Sequence, residues 1–172
     1  MSSPGPQNRQ RAELAVLGLT AAAIVIADQL SKAAVAASLG VGESVRVLGD
    51  LVMLWHVRNT GAAFSLFQFE GSLLLFYAVH VLALGMVAWF ARAFHERSLW
   101  LHGILGLLLG GSIGNLIDRL RQGYVTDFIS VGIGDLRFPT WNVADAGITT
   151  GIVLLVGYLV LLEPRRAATS PS

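Results

Sequence analysis

Two aspartates stand where the sequence favours hydrolytic chemistry. Residues 110–145 hold four of the eleven acidic residues, between two uncharged apolar stretches, and two of these acids are Asp127 and Asp145. If the two carboxylates face each other they share one proton, because two like charges at close range are costly in a low dielectric. One would activate water for attack on a peptide carbonyl, and the other would protonate the carbonyl oxygen. A helix amino terminus favours negative charge, so Asp145 is predicted to be the ionised partner.

Other polar residues accompany the aspartates at helical spacing. Asn115, Asp118 and Arg119 occupy positions i, i+3 and i+4, so they share one helix face. Asn142 and Asp145 are three residues apart and share a face near a helix start. Asp118 and Arg119 also fit a simpler role, as anchors of a helix end at the membrane interface.

The first apolar stretch contains an acid and a base, Asp28 and Lys32, four residues apart and therefore on one helix face. Two interpretations are open, a snorkelling pair at the interface or a catalytic role. A dyad of Lys32 with Ser65 or Ser112 is a further candidate, but nothing in the spacing selects the serine.

Two further kinds of site receive less support. Residues 132–135 spell GxGD, a motif of intramembrane aspartyl proteases of the presenilin type. That motif belongs inside a long apolar helix, whereas here it lies in a polar loop, so we interpret it as coincidence. A metal site made from these carboxylates is possible but lacks a His pair at ligand spacing. A pair of aspartates that activates water needs neither a metal nor a cofactor, so neither is expected.

The composition places these residues in a membrane protein. The chain is 54% hydrophobic and only 13% charged, with a mean hydropathy of +0.64, which is typical of a polytopic membrane domain. A net charge of +1 with scattered arginines argues against nucleic-acid binding. The absence of cysteine excludes disulfides, thiolate metal sites and a cysteine nucleophile.

Four predicted spans must position the polar residues. They cover about Leu14–Leu39, Gly71–Ala91, Leu99–Ile117 and Ala146–Leu162, lengths close to the ~20 residues that cross a bilayer. Residues 1–13 are predicted to be a disordered cytoplasmic tail, 14–163 a single four-helix membrane domain, and 164–172 a second cytoplasmic tail. In the third span Gly106, Gly110 and Gly114 recur every four residues, which predicts close helix packing.

The first span has an alternative interpretation. A basic start, an apolar core and the triplet of Ala34, Val35 and Ala36 also fit a cleavable signal peptide.

Two segments between the spans, about 41–70 and 120–140, are predicted to form strands. Residues 45–48 and 51–58 flank Gly49 and Asp50, a two-residue loop that suits a type II′ hairpin. Tyr124–Val131 has the β-branched and aromatic content of a strand, and residues 132–135 are predicted to form a turn. Pro139 and Thr140 then indicate the start of a helix.

The arginines give a weak signal for orientation, with six on the proposed inner side and five on the outer. The first helix usually sets the topology, and Arg9 and Arg11 before it favour a cytoplasmic amino terminus. Four spans then place both termini in the cytoplasm and both β segments outside.

Several motifs in order resemble one family. Asp28 with Lys32, NTGAAF from Asn59, GNLIDR from Gly114, VTDF ending at Phe128 and WNVAD from Trp141 resemble the lipoprotein signal peptidases, also called signal peptidase II. The resemblance runs from the first span to the fourth. Two positions depart from the common pattern: Trp141 replaces a phenylalanine and Thr126 an aliphatic residue. Both leave the shape of the pocket open.

The resemblance implies an all-α polytopic fold, with four transmembrane helices and a small extracytoplasmic β-hairpin or β-cradle, in the bacterial inner membrane. It implies an aspartyl endopeptidase that cleaves diacylglyceryl-modified prolipoproteins just before the lipidated cysteine. Catalytic Asp127 and Asp145 would be assisted by residues that bind substrate or orient the pair, namely Asn59, Gly61, Asn115, Arg119 and Asn142. Asp28, Lys32 and Asp118 would provide structural support.

Two other classes remain as alternatives to a hydrolase. A small transporter or proton-relay protein also uses acids near the membrane. A structural membrane scaffold would tolerate loss of both aspartates.

Overall fold

Three long helices and a four-stranded sheet make up the described part of the chain. The structure is a computed structural model, and it describes residues 5–60 and 98–161 together with Gly85, Val87 and Trp89. The helices are α1 (Pro6–Ser38), α2 (Leu99–Gln122) and α3 (Val143–Leu161). Within these residues, all three are long and apolar enough to cross a membrane. The predicted span Gly71–Ala91 and the tail at 164–172 lie outside the described residues, the three positions named apart.

Helix α1 starts earlier than predicted. It begins at Pro6, not near Leu14, so residues 6–13 are helical and the prediction of a disordered tail is wrong for them. Proline is well tolerated in a first helical turn, and the Gln, Arg, Ala and Glu residues that follow favour helix. Their polarity misled the prediction, because the helix extends beyond the apolar stretch.

Both ends of α2 have recognisable caps. The Ser98 hydroxyl accepts a hydrogen bond from the Trp100 backbone N–H at 3.1 Å. At the other end Gly123, with φ +78°, donates its N–H to the Arg119 carbonyl at 3.0 Å. The left-handed conformation favours glycine there, so the helix stops just before the polar segment that leads to Asp127.

The glycine stripe of α2 packs against α1, as the sequence predicts. A Cβ at Gly106 would approach Thr20 Cβ to 2.7 Å, and one at Gly110 would approach Ile24 Cβ to 2.9 Å. Gly111, outside the stripe, faces α3 instead, so α2 lies between the two other helices. Near the amino-terminal end of α2, the buried hydrophobic core includes Leu101, Ile104, Leu105 and Tyr158.

Four antiparallel strands form one sheet in the order β1-β2-β3-β4. They are β1 (Ser44–Leu48), β2 (Val52–Asn59), β3 (Val125–Ile133) and β4 (Leu136–Arg137). The prediction of an all-α class is therefore incomplete, because β2 pairs with β3 and joins the two predicted β segments. Four transmembrane helices stay a prediction.

Two loops differ from their predicted form. The β1–β2 loop has three residues, not two, because Leu48 pairs with Val52 after a register shift in β1. The β3–β4 turn is shorter than residues 132–135, since β3 continues to Ile133. Helix α3 begins at Val143, three residues before the predicted span at Ala146 but later than the start that Pro139 and Thr140 indicate, because Trp141 still pairs with Ile129 as a β-bridge.

Candidate active site

Asp127 reaches the site from the middle of the sheet. It lies on β3 opposite Val57 of β2, and its side chain is buried, with 1% relative exposure. Asn59 lies two residues beyond Val57 and therefore on the same face of the sheet. Its amide Nδ2 donates to Asp127 Oδ2 at 2.8 Å.

Asp145 is held in the first turn of α3 by reciprocal hydrogen bonds with Asn142. The Asp145 N–H donates to Asn142 Oδ1 at 2.9 Å, and the Asn142 N–H donates to Asp145 Oδ2 at 3.2 Å. This is the arrangement of a capping box, with Asn142 as the cap and an acid three residues later. Asn115 Nδ2 adds a bond of 2.7 Å to Asp145 Oδ1.

Asn142 also connects the two aspartates. Its Nδ2 donates to Asp127 Oδ1 at 2.6 Å and to Asn115 Oδ1 at 3.2 Å. One asparagine therefore donates to both carboxylates, to that of Asp127 from its side-chain amide and to that of Asp145 from its backbone N–H. The structure brings together five of the residues that the sequence singled out, namely Asp127, Asp145, Asn59, Asn115 and Asn142.

Burial raises the pKa of Asp127 from 3.8 to about 6. The hydrogen bond from Asn59 opposes this shift, and the negative charge of Asp145 adds to it. The bond from Asn142 and the positive charge of Lys32 also act to lower the pKa. Burial favours the neutral acid, so Asp127 keeps its proton to a higher pH than an exposed aspartate.

Lys32 is buried near the aspartates, with only 4% relative exposure. Its ammonium lies 2.8 Å from Asp28 Oδ2 and 3.1 Å from Asp118 Oδ2, and it donates to Asn115 Oδ1 at 3.1 Å. An ammonium has three N–H donors, and each has a partner here. Lys32 thus points into the helix bundle instead of snorkelling to the interface.

Two residues of the supporting network were missed by the sequence reasoning. Gln29 Nε2 donates to Asp118 Oδ1 at 3.0 Å, to Gly114 O at 3.2 Å and to Asp28 Oδ2 at 3.2 Å. A polar residue directly after Asp28 in an apolar stretch was a usable signal. Ala144 has no such signal, because it takes part through its backbone N–H, which donates to Asp28 Oδ1 at 2.9 Å.

Of the two remaining predicted site residues, the structure describes one. Arg119 lies in the last turn of α2, four residues after Asn115, and is partly buried. Gly61 lies outside the described residues. The roles assigned to both stay predictions.

The GxGD sequence and the proposed Lys–Ser dyad do not lie in surroundings that suit catalysis. Residues 132–135 of the GxGD sequence form the end of β3 and an exposed turn, where Gly134 has φ +54° and its N–H donates to Asp50. The three N–H groups of Lys32 are engaged with other partners, which leaves no lone pair for activating Ser112, and Ser65 lies outside the described residues. No group of three or more His, Asp or Glu side chains within residues 5–60 and 98–161 is placed to hold a metal ion.

Comparison with known proteins agrees with the arrangement of these motifs. A sequence model of the family described as Signal peptidase (SPase) II matches residues 20–161. The chain belongs to the signal peptidase II family. A lipoprotein signal peptidase of Dehalococcoides mccartyi is 45% identical over 140 residues, which cover 79% of this chain and 84% of the relative. One of Enterococcus faecalis is 35% identical over 150 residues, which cover 87% and 91%.

A solved structure of a bacterial membrane enzyme has the same fold as this signal peptidase II family member. The TM-score is 0.74 at 30% identity, and the match covers 84% of this chain and 92% of the other. Family membership makes the chain a peptidase, and the three apolar helices among its described residues make it a multi-pass membrane protein.

Proposed function

We propose that this protein is an aspartyl endopeptidase that removes the signal peptide from diacylglyceryl-modified prolipoproteins. It cleaves just before the lipidated cysteine, at the outer face of the bacterial inner membrane. The observation that carries the proposal is the pair of aspartates on β3 and α3, bridged by Asn142. Membership in the signal peptidase II family favours this function over a transporter or proton relay.

The two aspartates have surroundings that suit different roles. Asp145 accepts hydrogen bonds from Asn115 and from the Asn142 backbone, at the start of a helix, where negative charge is favoured. Asp127 is buried, and its raised pKa favours the protonated acid. One shared proton therefore resides on Asp127, and Asp145 is the base.

The reaction follows from this division. Asp145 accepts a proton from water as the water oxygen attacks the scissile carbonyl. Asp127 donates its proton to the carbonyl oxygen, which gives a tetrahedral gem-diol. The C–N bond then breaks as Asp145 passes the proton taken from water to the leaving nitrogen, and a hydroxyl of the gem-diol returns a proton to Asp127. Asn59 and Asn142 hold the carboxylate of Asp127 in place. Two carboxylates and water suffice, so the reaction requires neither metal nor cofactor.

The position of the site suits a lipid-anchored substrate. Asp127 follows the end of α2, Asp145 opens α3, and Asp28 and Lys32 lie in the last third of α1, so the site is at one end of all three helices. The acyl chains of the substrate can stay in the bilayer while its peptide bond reaches the carboxylates. Both termini lie in the cytoplasm in this arrangement.

Cleavage of a lipidated prolipoprotein by the purified protein in detergent tests the proposal. Asp127→Asn and Asp145→Asn should each lower kcat by at least about 1000-fold, the order of loss when a group that acts in concert with others is removed. Asp135→Asn is the matched control, because this aspartate lies exposed in the β3–β4 turn. Wild-type-like cleavage by either active-site variant, with folding intact, would refute the aspartyl mechanism.

A further inference from the structure

Three residues that contact the Lys32 ammonium also form hydrogen bonds with the two segments that carry the aspartates. Asp28 Oδ2 lies 2.8 Å from the ammonium, and Asp28 Oδ1 accepts the Ala144 N–H at 2.9 Å. Ala144 is the residue directly before Asp145. Lys32 is thereby linked to the first turn of α3.

A second route reaches Asp127 in the same way. Asp118 Oδ2 lies 3.1 Å from the Lys32 ammonium and accepts the Thr126 N–H at 3.0 Å. Thr126 directly precedes Asp127. Each carboxylate bound to Lys32 thus holds the backbone N–H next to one of the two aspartates.

The third route acts on a side chain. Asn115 Oδ1 accepts from Lys32 at 3.1 Å, so its Nδ2 is turned toward Asp145, to which it donates at 2.7 Å. An ammonium can only donate, so Lys32 fixes which end of the amide faces Asp145, together with Asn142 Nδ2, which donates to the same oxygen at 3.2 Å.

We propose that Lys32 is a positioning residue that sets the separation and orientation of Asp127 and Asp145 through Asp28, Asp118 and Asn115. The inference rests on the proposed function. Lys32 is buried and its three donors are engaged, so it acts on the aspartates and not on the substrate.

Removal of the ammonium has a defined physical consequence. Asp28 and Asp118 would face each other as unpaired buried carboxylates and repel, and each would move the backbone that it holds. Asn115 Oδ1 would keep only the Asn142 amide as a donor, at 3.2 Å, so the Asn115 amide would be held less firmly in its orientation toward Asp145. The geometry of the catalytic pair changes although neither aspartate is altered.

A double variant isolates the ammonium from the charge balance. Lys32→Met with Asp118→Asn removes one positive and one negative charge, and the side-chain oxygen of the introduced asparagine can still accept the Thr126 N–H. Asp118→Asn alone is the reference. The kinetics are normalised to the concentration of folded protein, which is checked by size-exclusion chromatography and thermal unfolding in detergent.

Relative to Asp118→Asn, the double variant should show a kcat lower by about 10- to 100-fold, because a misplacement of about 1 Å in a reacting group can cost on the order of 100-fold. KM should change by less than about threefold, because no substrate contact is lost. An unchanged kcat would overturn the proposal, and so would a loss confined to KM. If Asp127→Asn and Asp145→Asn are inactive while the double variant keeps its kcat, only the role of Lys32 fails.

A measurement on intact Lys32 covers the case in which the double variant does not fold. Lys32 is the only lysine in the chain, so labelling with lysine carrying 13C at Cε gives one side-chain NMR signal. Asp145→Asn should shift that signal, since Asn115 and Asp28 link the two sites, and the exposed control Asp135→Asn should leave it in place. An unmoved signal in Asp145→Asn would overturn the linkage.

Discussion

At the scale of single residues, the two aspartates have identical side chains but different surroundings. Asp127 is buried against a sheet, whereas Asp145 stands at a helix start with backbone and side-chain N–H donors. The sequence predicted both residues and the asymmetry, because the position of Asp145 near a helix start, where negative charge is favoured, could be inferred from the sequence. It could not predict the contacts of Asp28 and Asp118 with backbone N–H groups, since nearly every residue carries that group and only the fold selects the partner.

The raised pKa of Asp127 predicts the alkaline side of the pH profile. Asp127 must be protonated to act as the acid, and its pKa is about 6 in the free protein. As the pH rises above that pKa, kcat/KM should fall about tenfold per unit. Initial rates of prolipoprotein cleavage across the neutral range, from mildly acidic to mildly alkaline buffers, would measure this.

Asn59→Ala tests the cause of that profile. The bond from Asn59 stabilises the ionised form of Asp127, so its removal should raise the pKa and move the alkaline limb to higher pH. Asp135→Asn should leave the limb where it is, because Asp135 is exposed in a turn. A limb that moves to lower pH in Asn59→Ala would contradict the assignment of Asp127 as the acid.

At the scale of elements, glycine brings the helices close enough for the polar network to form. The four-residue repeat in α2 predicted a packed face, and that face meets α1. The sequence did not show that Gly111, one residue outside the repeat, faces α3. A periodic pattern identifies a face, but the partner of a neighbouring small residue depends on how the helices are arranged in space.

Gly111→Ala should destabilise the protein by about 1–3 kcal/mol, the usual range for overpacking. The added Cβ would collide with the Ala144 carbonyl and lie 2.7 Å from Ile148 Cγ1. Because Ala144 precedes Asp145, kcat should fall as well. Thermal unfolding in detergent measures the first effect and cleavage the second.

Gly103→Ala is the matched control on the same helix. The nearest atom to its Cβ would be Val16 Cγ1 at 3.8 Å, an ordinary contact. Alanine also has the higher helix propensity, so stability should stay the same or rise slightly. Equal losses in the two variants would show that close packing at Gly111 is not the cause.

At the scale of the whole molecule, composition and apolar length were enough to predict a membrane protein with its polar chemistry at one end. They were not enough to predict one sheet. Pairing of β2 with β3 joins segments that are distant along the chain, as in Val57 opposite Asp127. Alternation within a strand predicts the strand, whereas the choice of partner depends on the helices that carry both strands to the same end.

Engineered cysteines test the proposed orientation, because the natural chain contains none. Asp135→Cys lies in the exposed β3–β4 turn and Gln7→Cys in the exposed first turn of α1. With the site outside, a maleimide that cannot cross the inner membrane should label Asp135→Cys in spheroplasts and Gln7→Cys only after lysis. The reverse pattern would place the site on the cytoplasmic side.

The burial of Lys32 has a practical consequence for the study of assembly. Reagents that acylate primary amines find no exposed ε-amino group anywhere in this sequence, because its sole lysine is enclosed by acids and amides. Bis-succinimidyl esters would therefore join two copies only through their α-amino groups, and a monomer band on a gel would say nothing about subunit number. Carboxylate- or photo-activated cross-linkers are the appropriate choice.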